Sequence, residues 1–231
     1  MIPWQHLDSA RVPGDPAELR LMKRGAEFSI RLGQNELMNS RLSGSEEALA
    51  TLTCERLAAH RAPVLLIGGL GMGFTLRAAL AVLPANAKVV VSELVPAVVA
   101  WARGPMAEMH AGSLDDPRVE IREQDVGRII RDARSAYDAI LLDVDNGPEA
   151  LTHRMNDGLY GHGGLAAAHS ALKPRGVLAV WSCAPDDRFA RRLRDGRFEV
   201  EEKRVRANRG RSGARHVIWL ASRTVRDRPH D

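Results

Sequence analysis

The stretch that most constrains the fold is PVLLIGGLGMGFTLRAAL, Pro63 to Leu80. Val64, Leu65, Leu66 and Ile67 form an apolar run of strand length, glycines follow at 68, 69, 71 and 73, and an alanine/leucine-rich helical pattern begins at once. The order is strand, tight turn, helix. Glycine is needed where backbone turns sharply and approaches a ligand without Cβ atoms in the way, while the free N–H groups of the next helix face that ligand. The G-x-G-x-G register of Gly69, Gly71 and Gly73 therefore predicts a nucleotide- or nucleoside-binding turn, although glycine also marks any cramped strand-to-helix turn.

Three more strands sharpen the reading. Lys88 to Ser92 ends in Glu93, about twenty residues past the glycines, where a βαβ unit places the acid that accepts hydrogen bonds from ribose hydroxyls. The segment Arg118 to Ile121 leads to Asp125 and Val126, and Tyr137 to Leu142 stops at Asp143. Each apolar strand thus delivers a carboxylate to the edge at which open parallel sheets bind ligands.

With 231 residues, 45% of them hydrophobic, the chain can build one substantial core. No apolar run reaches membrane-spanning length, and the first residues lack the basic-then-apolar pattern of a secretory signal, so a cytoplasmic protein is expected. Cys54 and Cys183 supply neither a disulfide framework nor a zinc spacing, and His153, His162 and His169 match no metal pattern; no metal is expected. The net charge of +4 is modest. The arginine-rich Arg204 to Arg215 lacks interleaved aromatics and adjoins Glu199, Glu201 and Glu202, which predicts a solvated hairpin and a small-molecule substrate rather than a nucleic-acid partner.

Along the chain, residues 1–16 are proline-punctuated and expected to be extended or partly disordered. Alternation around Arg24-Gly25 predicts a hairpin with Leu19 and Leu21 on one arm and Phe28 and Ile30 on the other. Ser43 reads as a helix cap with Glu46 at the capping-box position, and Glu46 and Glu47 as acids complementing the helix dipole. From Pro63, strands and helices alternate to Trp181, with Lys173 to Gly176 closing a helix, and an antiparallel pair follows (Phe198 to Val205, His216 to Ala221). The expected fold is α/β: a Rossmann-like three-layer α/β/α sandwich spanning 45–231, with a short antiparallel β appendage within 1–44.

The motifs VLLIGGLGMGFTLR, SELVP, DPRVEIREQDV, YDAILLDVDNGPEA and LYGHGGLAAAHSALKPRGVLAVWS together resemble the spermidine synthase (polyamine aminopropyltransferase) family, which has the class I S-adenosylmethionine methyltransferase fold with a small N-terminal β-domain. The resemblance covers Ala26 to Trp181 and is most specific at Asp116-Pro117-Arg118-Val119 and at Tyr137-Asp138 through Pro148. It implies that Gly69, Gly71 and Gly73 line the methionine-side loop, Glu93 holds the ribose, Asp125 and Val126 contact adenine, Asp143 lies at the reaction centre beside the cofactor, and Asp145 matches the family's second acid. A homodimer is likewise implied. Family members carry an aspartate inside the glycine loop, suited to the free amine of decarboxylated S-adenosylmethionine, where this chain has Gly71 and Met72; the polyamine-gripping tyrosine and histidine fall where it has Glu47-Ala48-Leu49-Ala50.

Alkyl transfer from a sulfonium requires an acceptor held in line and a place for its proton. Asp143 and Asp145 are the candidates for that work, and Asn146 could offer an amide oxygen to an amine, though Asn146-Gly147-Pro148 also reads as a turn. His162, Tyr160 and Met155 are candidates to border the acceptor pocket, and Trp181 reads as pocket or core. The expectation is an S-adenosylmethionine-dependent transferase moving a methyl group to a small, amine-like acceptor. The alternatives are aminopropyl transfer from decarboxylated S-adenosylmethionine and a non-catalytic nucleoside-binding or interaction protein.

Overall fold

The computed structural model describes residues 2–14, 18–144, 158–208 and 214–224. Two sheets organise them. The first is an antiparallel meander of β1 (Gln5–Arg11), β2 (Glu18–Arg24), β3 (Glu27–Leu32) and β4 (Asn35–Asn39). The expected hairpin is present: Leu21 faces Ile30 across the ladder, and Gly25 turns the chain with φ +59°. Of the first residues, expected to be extended or partly disordered, Gln5–Arg11 are extended and form the paired strand β1. Its register slips between His6 and Asp8, and the Asp8 carboxylate accepts the Trp101 indole N–H at 2.6 Å, fastening the strand to the larger domain. That indole lies 93 residues downstream, so the bond leaves no local trace in the sequence.

After α1 (Gly44–Arg56), the remaining strands form a seven-stranded sheet: β5 (Val64–Gly68), β6 (Lys88–Glu93), β7 (Val119–Glu123), β8 (Tyr137–Leu142), β9 (Leu172–Ser182), β10 (Phe198–Arg206) and β11 (Arg215–Arg223). They lie in the order β10-β11-β9-β8-β5-β6-β7; β9 to β7 run parallel, and β10 and β11 antiparallel. The helices between them are α2 (Phe74–Val82), α3 (Pro96–Arg103), the short α4 (Ala107–His110), α5 (Val126–Asp132), α6 (His162–Ala171) and α7 (Asp187–Asp195). Leu65, Leu66 and Ile67 are fully buried, as a strand covered on both faces must be. Helix α6 ends one residue before β9 begins, so Lys173 to Gly176 belong to the strand rather than to a helix stop.

Strand order reverses direction of travel at β5, whose neighbours are β6 and β8, and this switch point opens a crevice at the carboxyl ends of the strands. The appendage covers it. Leu19, Leu21, Phe28 and Ile30 share one continuous core with Leu49, Leu65 and Ile67, so the small sheet is packed against the large one. The Asp116-Pro117-Arg118 motif has a structural role: Arg118 makes a two-pronged contact with Asp116 (2.9 and 2.8 Å) and donates to the Leu83 carbonyl (2.9 Å), holding the start of β7 against the end of α2.

Candidate active site

Gly69, Gly71 and Gly73 all take positive φ (+91°, +48° and +73°), a region disfavoured for residues with a Cβ. The space around them is equally restrictive. A Cβ on Gly69 would stand 2.4 Å from the Asp143 carbonyl oxygen, and one on Gly71 would stand 2.9 Å from the Met38 sulfur. The turn is thus pressed between the end of β8 and the lid formed by β4.

Beneath this turn lies a cavity of about 410 Å³, of the size that takes a small organic ligand. Its ceiling is apolar and comes from the appendage: Leu19, Ile30, Leu32, Leu37 and Met38. Its floor is the strand ends. Glu93 is buried there, with one carboxylate oxygen accepting the Leu70 N–H at 3.0 Å and the other the Val95 N–H at 2.9 Å. Burial pushes its carboxyl above the ordinary range, opposed by those backbone donors. The backbone donors that anchor the turn to Glu93 hold its carboxylate in place on the cavity floor.

Asp125 is the N-cap of α5, accepting from Gly127 N at 2.9 Å and Arg128 N at 3.2 Å, and it also meets Arg131 at 3.4 Å. Asp125 and Val126 both line the cavity, on the same side as Glu93. The bare glycine backbone, Glu93 and the α5 cap face one space.

At the other side stands Asp143. The Thr75 hydroxyl donates to its Oδ2 at 2.6 Å, and its own N–H bonds the Gly68 carbonyl at 3.0 Å. Burial, reinforced by the charge of Glu46, pushes its carboxyl up to about 7, with Thr75 working the opposite way. Parallel pairing of Leu142 with Val180 brings Trp181, at the end of β9, beside it, and Trp181 lines the cavity while 7% exposed.

Of the residues singled out in the sequence, Gly69, Gly71, Gly73, Glu93, Asp125, Val126 and Asp143 converge on this cavity. Asp145 and Asn146 lie outside the described residues, as do Met155 and His153. Tyr160 is buried against Phe189, ring centroids 5.6 Å apart, and His162 is exposed at the start of α6; neither lines the cavity. His169 packs edge-on against Phe198. Among the described residues no three metal-ligating side chains cluster, and no helix is long and apolar enough to cross a membrane.

Two contributors escaped the sequence reading. Ser43 makes no side-chain capping bond, so the expected capping box is absent; Glu46 instead lines the cavity. His110 is buried beneath the turn, where a Cβ on Gly73 would stand 2.4 Å from its Nδ1, and burial brings its ring down to about 4, keeping it neutral. Only the three-dimensional approach of α1 and α4 to the turn identifies either.

The spermine/spermidine synthase domain matches residues 45–185. Polyamine aminopropyltransferase 2 of Pseudomonas aeruginosa is 35% identical over 130 residues, 54% of this chain and 35% of that protein. The polyamine aminopropyltransferase of Sulfolobus acidocaldarius is 29% identical over 130 residues, 55% of this chain and 41% of that protein. The chain therefore matches less than half the length of these relatives. Among solved structures, spermidine synthase of Thermotoga maritima superposes with a TM-score of 0.72 at 20% identity, covering 96% of this chain and 73% of that one. A Burkholderia thailandensis N1-methyltransferase with bound S-adenosylhomocysteine gives 0.57 at 19% identity, over 79% of this chain and 80% of that one. At these identities the structural likeness concerns the fold.

Proposed function

Because the chain belongs to the spermine/spermidine synthase domain family, we propose that it transfers an aminopropyl group from decarboxylated S-adenosylmethionine to a cationic amine. This reverses the order expected from the sequence, which put methyl transfer first. The observation that carries the reading is the charge of the cavity: among the described residues, four carboxylates line it (Glu46, Glu93, Asp125 and Asp143) against one cation, Arg131, which is already engaged by Asp125.

A cavity lined that way selects cations. Intact S-adenosylmethionine brings a carboxylate, for which no unengaged lining cation stands among the described residues; the decarboxylated form brings an amine and a sulfonium, both positive. The nucleoside part would be held by Glu93, the α5 cap and the glycine turn, as the resemblance implies. That donor supplies an electrophilic carbon next to a positive sulfur.

The chain's own contribution is at the acceptor. An ammonium is not a nucleophile, and Asp143, poised at about 7, is suited to taking its proton near neutral pH. The freed amine then forms the new C–N bond, the C–S bond breaks, and the electron pair returns to sulfur as a neutral thioether. The apolar ceiling of Leu32, Leu37 and Met38 excludes water that would otherwise solvate the amine.

Titration calorimetry with the two donors tests the reading. Tighter binding of the decarboxylated form, and an aminopropylated amine detected by mass spectrometry, are expected. Tighter binding of intact S-adenosylmethionine, with a methylated product, would restore the methyltransferase reading.

A further inference from the structure

The carboxylate of Glu46 stands in the first turn of α1, where an acid complements the helix dipole, and it also lines the cavity. Its position, three residues after Ser43, suits a capping acid, yet no side-chain cap forms there. Instead Glu46 Oε2 accepts the Ser45 hydroxyl at 2.6 Å, and the Ser45 oxygen lies 2.9 Å from His216 Nδ1 at the start of β11. Ser45 is fully buried, and His216 packs edge-on against Trp181 with centroids 4.8 Å apart. The line His216, Ser45, Glu46 therefore runs from the antiparallel end of the large sheet to the cavity and holds the carboxylate in one place.

That place is beside Asp143. The Thr75 hydroxyl that donates to Asp143 lies 3.3 Å from the Glu46 carbonyl oxygen, so one side chain touches both residues. Glu46 and Asp143 both line the cavity, burial makes each harder to ionise, and the charge of Glu46 adds to that cost at Asp143, with no lysine or arginine bonded to either among the described residues. On the same wall the Trp181 indole nitrogen is buried and has no hydrogen-bond partner among the described residues. Two carboxylates kept together without a cation, beside an unsatisfied donor, form an arrangement completed by a ligand.

Accordingly, we propose that Glu46, held by Ser45 and His216, is a specificity-determining residue that receives the amine of the acceptor opposite Asp143. This rests on the aminopropyl-transfer reading and assigns its acceptor subsite. Glu46 acts as the anchoring charge, leaving Asp143 as the group that takes the proton; Ser45 and His216 are positioning residues. The amine so held is cationic when it binds and loses one proton to Asp143 before its nitrogen attacks.

The experiment is calorimetric titration of 1,4-diaminobutane into the protein saturated with 5′-methylthioadenosine, for the wild type and for Glu46→Gln, Ser45→Ala and His216→Gln. Glu46→Gln keeps an oxygen to accept the Ser45 hydroxyl, so the fold is retained, and a melting temperature no lower than that of the wild type confirms it. Expected is a loss of about tenfold or more in diamine affinity for Glu46→Gln, with nucleoside affinity within about twofold of wild type. Ser45→Ala and His216→Gln should raise KM for the amine with little change in kcat. If the wild type binds nucleoside and diamine and Glu46→Gln binds the diamine equally well, the role of Glu46 is refuted while aminopropyl transfer stands. If the wild type binds no nucleoside, the functional reading itself falls, and this assignment with it.

Discussion

Replacing Asp143 by asparagine should stabilise the protein, and do so increasingly from pH 5 to pH 8. In the folded chain this carboxyl is pushed up to about 7, first by burial and then by Glu46, whereas in the unfolded chain it titrates near its ordinary value of about 4. Between those values the folded state keeps a proton that the unfolded state has released. Stability therefore falls as pH rises through this window and levels off above the folded value. Each pH unit is worth about 1.4 kcal/mol, so the full window amounts to about 4 kcal/mol and the part above pH 5 to about 3 kcal/mol. Asparagine cannot ionise, yet its amide oxygen still accepts the Thr75 hydroxyl that Asp143 receives at 2.6 Å. Glu46, also raised, contributes a slope of its own in both proteins. Guanidinium denaturation of both proteins at pH 5, 6, 7 and 8 should show the advantage of the variant growing by up to about 3 kcal/mol, or about 6–12 °C in Tm for a chain of this size. Activity should be lost at the same time. A stability difference that stays constant across these pH values would mean that Asp143 is solvated and ionises normally, and its assignment as the proton acceptor would fail.

Gly69→Ala combines a φ of +91° with a Cβ 2.4 Å from a backbone oxygen, and should cost more than the ~1–2 kcal/mol of left-handed strain alone. Gly33→Ala, at φ +58° with nothing within 4 Å, is the matched control; equal melting temperatures for the two variants would contradict the close approach of the turn to β8. At the opposite end of the sheet, buried Asp138 accepts from Lys173 at 2.6 Å, from Val64 N at 2.7 Å and from His60 at 3.1 Å. Burial alone would raise its carboxyl, but these donors hold it below the ordinary range. Asp138→Asn should therefore cost about 2 kcal/mol at pH 7, with Lys173 partly solvated, and the penalty should fade as pH falls from about 4, where the unfolded carboxyl takes up its proton, through the lower value of the folded one. A penalty that persists unchanged in acid denaturation would point to lost packing rather than lost charge.

How far the sequence reaches depends on how local each interaction is. The strand-turn-helix at Pro63 to Leu80 is legible because hydrophobic period, glycine spacing and helix pattern lie within eighteen consecutive residues, and Glu93, Asp125 and Asp143 are legible because parallel strands deliver their ends to one edge. The sequence by itself determined the αβ alternation, the terminal antiparallel pair and the acids of the crevice. Other features were set by contacts remote in the chain. The bond that the Trp101 indole N–H donates to Asp8 fastens to the large sheet's domain a proline-flanked segment that pairs only with its neighbour in sequence, Glu18–Arg24. Glu46 carries an unambiguous helix-cap pattern, yet Ser45 and His216, the latter 171 residues away from the former, turn it toward the cavity. A residue's local propensity is worth about 1 kcal/mol, and burial of a carboxylate with its partners outweighs it. For that reason the tertiary structure, and not the motif, decided which acids face one another across the cavity.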